Sequence, residues 1–124
     1  MVLPTTCYDE VVRMVSGGSI GVTSFIRVDI TDHEMLKRAV RMHPDRGKVL
    51  YVETITNPQC EVVDMTVISA IAKANDCILV VDSTWTPPLV QQVFDYDVDV
   101  LAYSLTKTHN GHSDVVAGAV VCNR

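Results

Sequence analysis

The stretch Leu101 to Asp114, LAYSLTKTHNGHSD, surrounds a single lysine with small polar side chains. Lys107 follows an apolar run and stands among Ser104, Thr106, Thr108, His109, Asn110 and Ser113. Two chemistries suit that setting. Hydroxyls beside a lysine can hold a phosphate. A lysine in a desolvated pocket loses its proton and becomes a nucleophilic amine. Two earlier stretches also carry reactive groups: ETITNP (53–58), with Asn57, and VVDST (80–84), with Asp82 and Thr84. An anion at the end of a buried apolar run needs a partner. Asp82 can find one by capping a turn or by meeting a ligand.

The elements that must position these groups alternate between strand and helix patterns. Tyr8 to Val15 has Val11, Val12 and Val15 at helical spacing, and Gly17-Gly18 stops it. Ile20 to Val28 is dense in β-branched residues and reads as a strand. Thr31 is placed to cap a helix, with Glu34 three residues on, and Leu36, Ala39, Val40 and Arg41 continue it to Pro44. Lys48 to Glu53 is a short apolar strand. Asp64 caps the next helix, which runs to about Asn75. CILVVD (77–82) is apolar on both faces, as in the middle of a covered parallel sheet. The prolines of STWTPPL can open a short helix. VDVLAYSL and GAVVCN read as two more strands. The order predicts an α/β fold: a central, mostly parallel sheet with helices on both faces. Sites in such sheets lie beyond the carboxyl ends of the strands. Glu53, Thr54 and Asn57 follow one strand, Asp82, Ser83 and Thr84 the next, and Ser104, Thr106 and Lys107 a third. Three segments therefore deliver polar groups to one edge.

Composition narrows the field. The 124 residues carry ten basic and fifteen acidic side chains, a net charge of −5, which argues against nucleic acid as the partner. The basic cluster Lys37–Arg41 reads as a solvated helix face. No apolar run reaches the ~20 residues of a membrane span, and the N-terminus has no signal-peptide pattern. The four cysteines, Cys7, Cys60, Cys77 and Cys122, form no C-x-x-C pair. They read as free buried thiols in a reducing, cytoplasmic setting. His109 and His112 lack a third ligand at metal-binding spacing, so no metal is expected and loop packing is. Trp85 is expected to pack a loop near the site, Met14, Met35, Met42 and Met65 to lie in or beside the core, and Cys60 and Cys77 in it.

One cofactor uses the lysine, carboxylate, amide and hydroxyls together. Pyridoxal 5'-phosphate (PLP) bonds a lysine amine, needs a carboxylate at its pyridine nitrogen to act as an electron sink, and carries a phosphate that hydroxyls bind. The three motifs, ETITNP (53–58), VVDST (80–84) and YSLTKTHNGHSDVVAG (103–118), closely resemble those of the Cys/Met-metabolism family of PLP enzymes. That family includes cystathionine γ-synthases, cystathionine γ- and β-lyases and methionine γ-lyases. The resemblance is clear from about Lys48 to Val121 and loose from Thr5 to Arg46. It implies the large domain of the fold-type-I PLP-dependent transferases, with residues 1–124 as a partial PLP-binding large domain and no complete second domain.

By resemblance Lys107 is the Schiff-base lysine, Asp82 pairs with the pyridine nitrogen, and Asn57 contacts the ring oxygen. Ser104 and Thr106 bind the phosphate, Thr84 lies against the ring, and Tyr8 stacks on the cofactor and assists catalysis. The chain departs from the family pattern at YDEV (8–11), where two glycines are usual after the tyrosine, at Ser83 and at Thr108. The resemblance implies elimination or replacement at the γ-carbon of cystathionine-like sulfur amino acids, the transsulfuration chemistry, in a homo-oligomer of the tetramer-of-dimers type. NGHSDVVAG (110–118) leans toward the cystathionine γ-lyase and γ-synthase branches over methionine γ-lyase. The rival expectation is a catalytically incomplete segment that binds PLP weakly or joins a full-length partner subunit.

Overall fold

The computed structural model describes residues 1–45 and 47–123. Six strands form one sheet in the order β2-β1-β3-β4-β5-β6. The strands are β1 (Val2–Pro4), β2 (Ile26–Val28), β3 (Lys48–Glu53), β4 (Cys77–Asp82), β5 (Val100–Ser104) and β6 (Gly118–Cys122). The first five run parallel, and β6 returns antiparallel along β5. The helices are α1 (Asp9–Ser16), α2 (His33–Arg41) and α3 (Met65–Ala74), with a 3-10 turn at Val93–Tyr96.

Alternation along the strands sorts side chains onto two faces. One face carries Val2, Leu50, Val52, Leu79, Val81 and Leu101, and packs against α2 and α3 through Leu36, Val40, Ile68 and Ile71. Full burial of such side chains is worth about 1.5–3 kcal/mol each. The other face carries Leu3 and Tyr51, and α1 packs there through Val15 with Val11 and Val12 beside it. Helices thus lie on both faces, as expected. The cover on the second face is partial: Ile78 of β4 is 51% exposed and Val120 of β6 69%. CILVVD is central in the sheet, fully covered on one side and only partly on the other, where Val80 packs beside Tyr51 and Ile78 is exposed.

The helix boundaries follow local chemistry. Asp64 caps α3 by accepting the N–H groups of Thr66 and Val67. In α2 the cap is Asp32, whose carboxylate accepts from Glu34 and Met35, and not Thr31. Thr31 instead gives its N–H and hydroxyl to Asp29. The strand read over Ile20–Val28 shrinks to Ile26–Val28, because its neighbour β1 offers only three residues to pair with. Gly21, at φ +69°, also breaks the extended run. Strand β1 had no signal of its own in the sequence. The prolines after Trp85 produce a single turn closed by Val90 N–H to Pro87 C=O at 2.7 Å, and no helix there. No helix among the described residues is long and apolar enough to cross a membrane.

Several packing expectations need correction. Met65 is buried, but Met14, Met35 and Met42 are exposed, and so is Trp85. Cys7 and Cys77 are buried, whereas Cys60 and Cys122 are exposed. Cys60 sits at φ +59° in the loop after β3, which takes it out of the core. Burial, reinforced by the nearby Glu53 carboxylate, pushes the Cys7 thiol up to about 11. Since the thiolate is the reactive form, two thiols, Cys60 and Cys122, are expected to react promptly with an aromatic disulfide reagent in native buffer. Cys7 and Cys77 should follow only on unfolding. Prompt reaction of more than two would contradict the burial of Cys7 and Cys77.

Candidate active site

The strand order reverses between β1 and β3. The connection from β1 runs outward to β2, and the chain then crosses back to β3 and continues the other way. In an open α/β sheet such a point leaves a crevice at the carboxyl edge. Tyr8 lies just after β1, Glu53 ends β3, Asp82 ends β4 and Ser104 ends β5. Parallel pairing puts Glu53 level with Asp82, and Asp82 level with Ala102. Ser104, two residues beyond Ala102, shares their face, which is also the face of α1.

Hydrogen bonds knit these ends together. Asp82 Oδ1 accepts the Thr84 N–H at 2.8 Å, and Thr84 Oγ1 accepts the Ser104 N–H at 2.8 Å. The three residues form a chain from β4 to β5. Among the described residues no donor is bonded to Asp82 Oδ2 or to the Ser104 hydroxyl. Beneath them a buried trio fixes the strand ends: Ser83 Oγ and Thr86 Oγ1 are 2.7 Å apart, and Thr86 Oγ1 donates to Thr54 Oγ1 at 2.7 Å. Sequence reading had placed Thr54 and Ser83 at this edge but had no signal for Thr86, which reaches them by folding back from the loop.

Lys107 lies in the turn that follows β5. Its N–H donates to Ser104 C=O at 3.3 Å, and its own C=O accepts from Gly111 at 2.8 Å. Gly111 has φ +71°, a conformation that favours glycine. The turn presents Lys107 to solvent, so these residues do not supply the desolvated surroundings expected for it. It borders an open cleft of about 570 Å³, lined also by Thr106, Ser113 and Asp114. Thr106 is already engaged: its hydroxyl donates to Ala117 C=O at 3.2 Å and accepts the Ala117 N–H at 3.0 Å. His109 packs edge-on against Tyr103, with ring centroids 5.3 Å apart, and His112 bonds Asn110 C=O. No metal-binding cluster occurs among the described residues. A larger cleft, about 900 Å³, lies at the opposite edge, between the segment 20–26 and the end of α2, and none of Asp82, Thr84, Ser104 and Lys107 lines it.

Tyr8 and Asn57 meet through Glu53. Glu53 is 4% exposed. Its Oε1 accepts the Tyr8 N–H at 2.7 Å and its Oε2 the Asn57 N–H at 2.7 Å. The Tyr51 hydroxyl approaches Oε1 at 3.4 Å. Burial raises the Glu53 pKa, the two backbone N–H groups oppose that, and the neighbouring Asp82 adds to the rise. The same burial, with the Asp82 and Glu53 charges, keeps the Tyr51 phenol protonated. Tyr8 is 55% exposed, and Asn57 is half-buried.

The whole chain, residues 1–124, matches the family model for "Cys/Met metabolism PLP-dependent enzyme". It is 43% identical over 96 residues to a cystathionine beta-lyase of Lactococcus lactis subsp. cremoris (strain MG1363), covering 77% of this chain and 24% of that one. It is 39% identical over 94 residues to a cystathionine gamma-lyase of Bacillus subtilis (strain 168), covering 76% and 24%. Its fold matches the crystal structure of cystathionine gamma synthase from Xanthomonas oryzae pv. oryzae in complex with cystathionine. There the TM-score is 0.90 at 33% identity, over 99% of this chain and 31% of that one. The chain spans about a quarter of the length of the curated relatives it matches.

Proposed function

The chain belongs to the Cys/Met-metabolism family of PLP-dependent enzymes, and from that premise we propose that it supplies the cofactor-holding edge of an enzyme that cleaves or forms C–S bonds at the γ-carbon of cystathionine-like amino acids. The observation that carries the proposal is the linked trio Asp82, Thr84 and Ser104 at the carboxyl ends of β4 and β5, with Lys107 in the next turn. In this reading residues 1–124 are part of a PLP-binding large domain, and the cofactor is pyridoxal 5'-phosphate.

The donor set suits that group. Asp82 Oδ2 is an anionic acceptor without a protein donor among the described residues, which matches a protonated ring nitrogen. The Ser104 hydroxyl, equally unengaged, matches a phosphate. Lys107 supplies an amine and is in no ion pair among the described residues. Asn57 would supply an amide for the ring oxygen, Thr84 would flank the ring and Tyr8 would stack on it. Thr106 fits less directly, because its hydroxyl must turn from Ala117 to reach a phosphate. When bound, PLP supplies an electron sink that stabilises negative charge developing on the substrate carbon.

The residues then divide the remaining work. Asp82 would hold the positive charge of the ring nitrogen. Lys107 would supply the amine that moves protons at Cα and Cβ of the substrate. Tyr8 would assist the leaving group through its hydroxyl. The similar proteins include a γ-synthase, a γ-lyase and a β-lyase, so the γ-carbon rests on the resemblance of NGHSDVVAG, and the products of the test below decide between the two carbons. The exposure of Lys107 favours a second reading, in which this chain binds PLP without turnover by itself.

The test is to load the chain with PLP, add cystathionine and identify products. Cleavage at the γ-carbon gives cysteine, 2-oxobutanoate and ammonia. Homocysteine with pyruvate would move the reaction to the β-carbon. A change in the PLP spectrum without product supports the second reading. A spectrum that responds equally to aspartate and cystathionine would remove the sulfur amino acids as the substrate class.

A further inference from the structure

The most expensive group at this edge is Glu53. A buried carboxylate must be desolvated, and this one is also placed level with a second carboxylate, Asp82, on the same face of the adjacent strand. An apolar side chain would fill the same space without either cost. What the carboxylate does is visible in its bonds: one oxygen takes the Tyr8 N–H and the other the Asn57 N–H, each at 2.7 Å. Hydrogen bonds to an ionised acceptor are roughly twice as strong as neutral ones. Tyr8 begins α1 without any side-chain cap, so Glu53 satisfies that helix entrance from another strand, 45 residues along the chain. Asn57 stands in a loop whose other ties, Thr56 to Glu61 and Thr54 to Val63, flank it but do not reach its own N–H.

We infer that Glu53 is a positioning residue, which holds the peptides of Tyr8 and Asn57 at fixed places on either side of the crevice and so sets where the stacking ring and the amide meet the cofactor. The inference rests on the PLP reading above for its purpose, and on the two bonds of Glu53 for its geometry. Glu53 has no assigned contact with cofactor or substrate. Its effect passes through the two residues it holds.

The side-chain chemistry sets the test. In Glu53→Gln the shape is kept, but an amide offers one acceptor oxygen, and its NH2 faces the second backbone N–H. Glu53→Ala removes both acceptors. Amide hydrogen exchange, read by mass spectrometry on the cofactor-free chain, is expected to quicken about tenfold at both Tyr8 and Asn57 segments in Glu53→Ala. In Glu53→Gln it should quicken at one of them. Peptides from β4 should exchange as in the wild type. PLP titration of the same proteins should show weaker binding and an altered dichroism of the bound PLP in Glu53→Gln, with an unchanged denaturation midpoint. Unchanged exchange at both segments overturns the inference, even if the wild type binds PLP. Faster exchange across the whole sheet also overturns it, because Glu53 then maintains the fold and not the crevice. A wild type that takes up no PLP overturns the cofactor reading, and with it the purpose assigned to Glu53, at a measurement separate from exchange.

Discussion

Borohydride treatment of the chain in the presence of PLP is expected to leave the pyridoxyl label on Lys107. Peptide mapping should find it within LTKTHNGHSD. The chain has four lysines, and their settings differ. Lys37 is paired with Glu34 at 2.7 Å and Lys73 with Asp97 at 2.8 Å. The bond to Asp97 raises the Lys73 pKa, which keeps that amine protonated and poorly nucleophilic. Lys48 begins β3, at the amino edge, a strand length from Asp82. Lys107 alone combines the carboxyl edge with freedom from ion pairs among the described residues. Label recovered on Lys107 should exceed that on any other lysine by roughly tenfold, corresponding to ~1.4 kcal/mol of preference. Lys107→Ala should abolish the site-specific label while leaving the denaturation midpoint unchanged, since the side chain is exposed. Label spread evenly over the four lysines, or concentrated on Lys73 or Lys48, would overturn the assignment.

How much of this arrangement can be read from the residues depends on what each feature needs. β3, β4 and α3 are legible to within a residue, because unbroken apolar runs and an aspartate cap specify them locally. β1 is not legible. Three residues ending in proline carry no period, and they become a strand only because β2 and β3 flank them. The overlong reading of β2 has the same origin: β-branched density marks what can pair, while the partner decides how much does. The convergence of Asp82, Thr84 and Ser104 was legible, since parallel strands with polar ends must gather those ends at one edge. The engagement of Thr106 with Ala117 depends on β6 turning back antiparallel, and spacing does not show that. Glu53 was visible as a strand-end acid, but its partners are backbone N–H groups, which no side-chain pattern reveals. The exposure of Lys107 was likewise hidden, because an apolar strand before a residue says nothing of how the next turn is aimed.

Asp82→Asn is expected to leave the fold intact and to weaken PLP binding by roughly 100-fold or more. The amide oxygen can still accept the Thr84 N–H, so the link through Thr84 to Ser104 survives. Removing the charge also relieves the repulsion between level neighbours in β3 and β4, which lowers the Glu53 pKa from its raised position. Both effects argue that the variant folds at least as well as the parent. The loss falls on the other oxygen. An asparagine places either a neutral oxygen or an NH2 group opposite the ring nitrogen, and neither stabilises a positive charge as a carboxylate does. Breaking a buried charge pair typically costs about 3–5 kcal/mol. Three kcal/mol is a little over two factors of ten. The measurements are a PLP titration of the wild type and Asp82→Asn, followed by a denaturant melt of each without PLP. Weaker binding with an equal or higher midpoint supports the charge pair. Unchanged affinity would reduce Asp82 to a turn-forming residue that accepts the Thr84 N–H. Weaker binding with a lower midpoint would show that the carboxylate serves the fold at the β4 end.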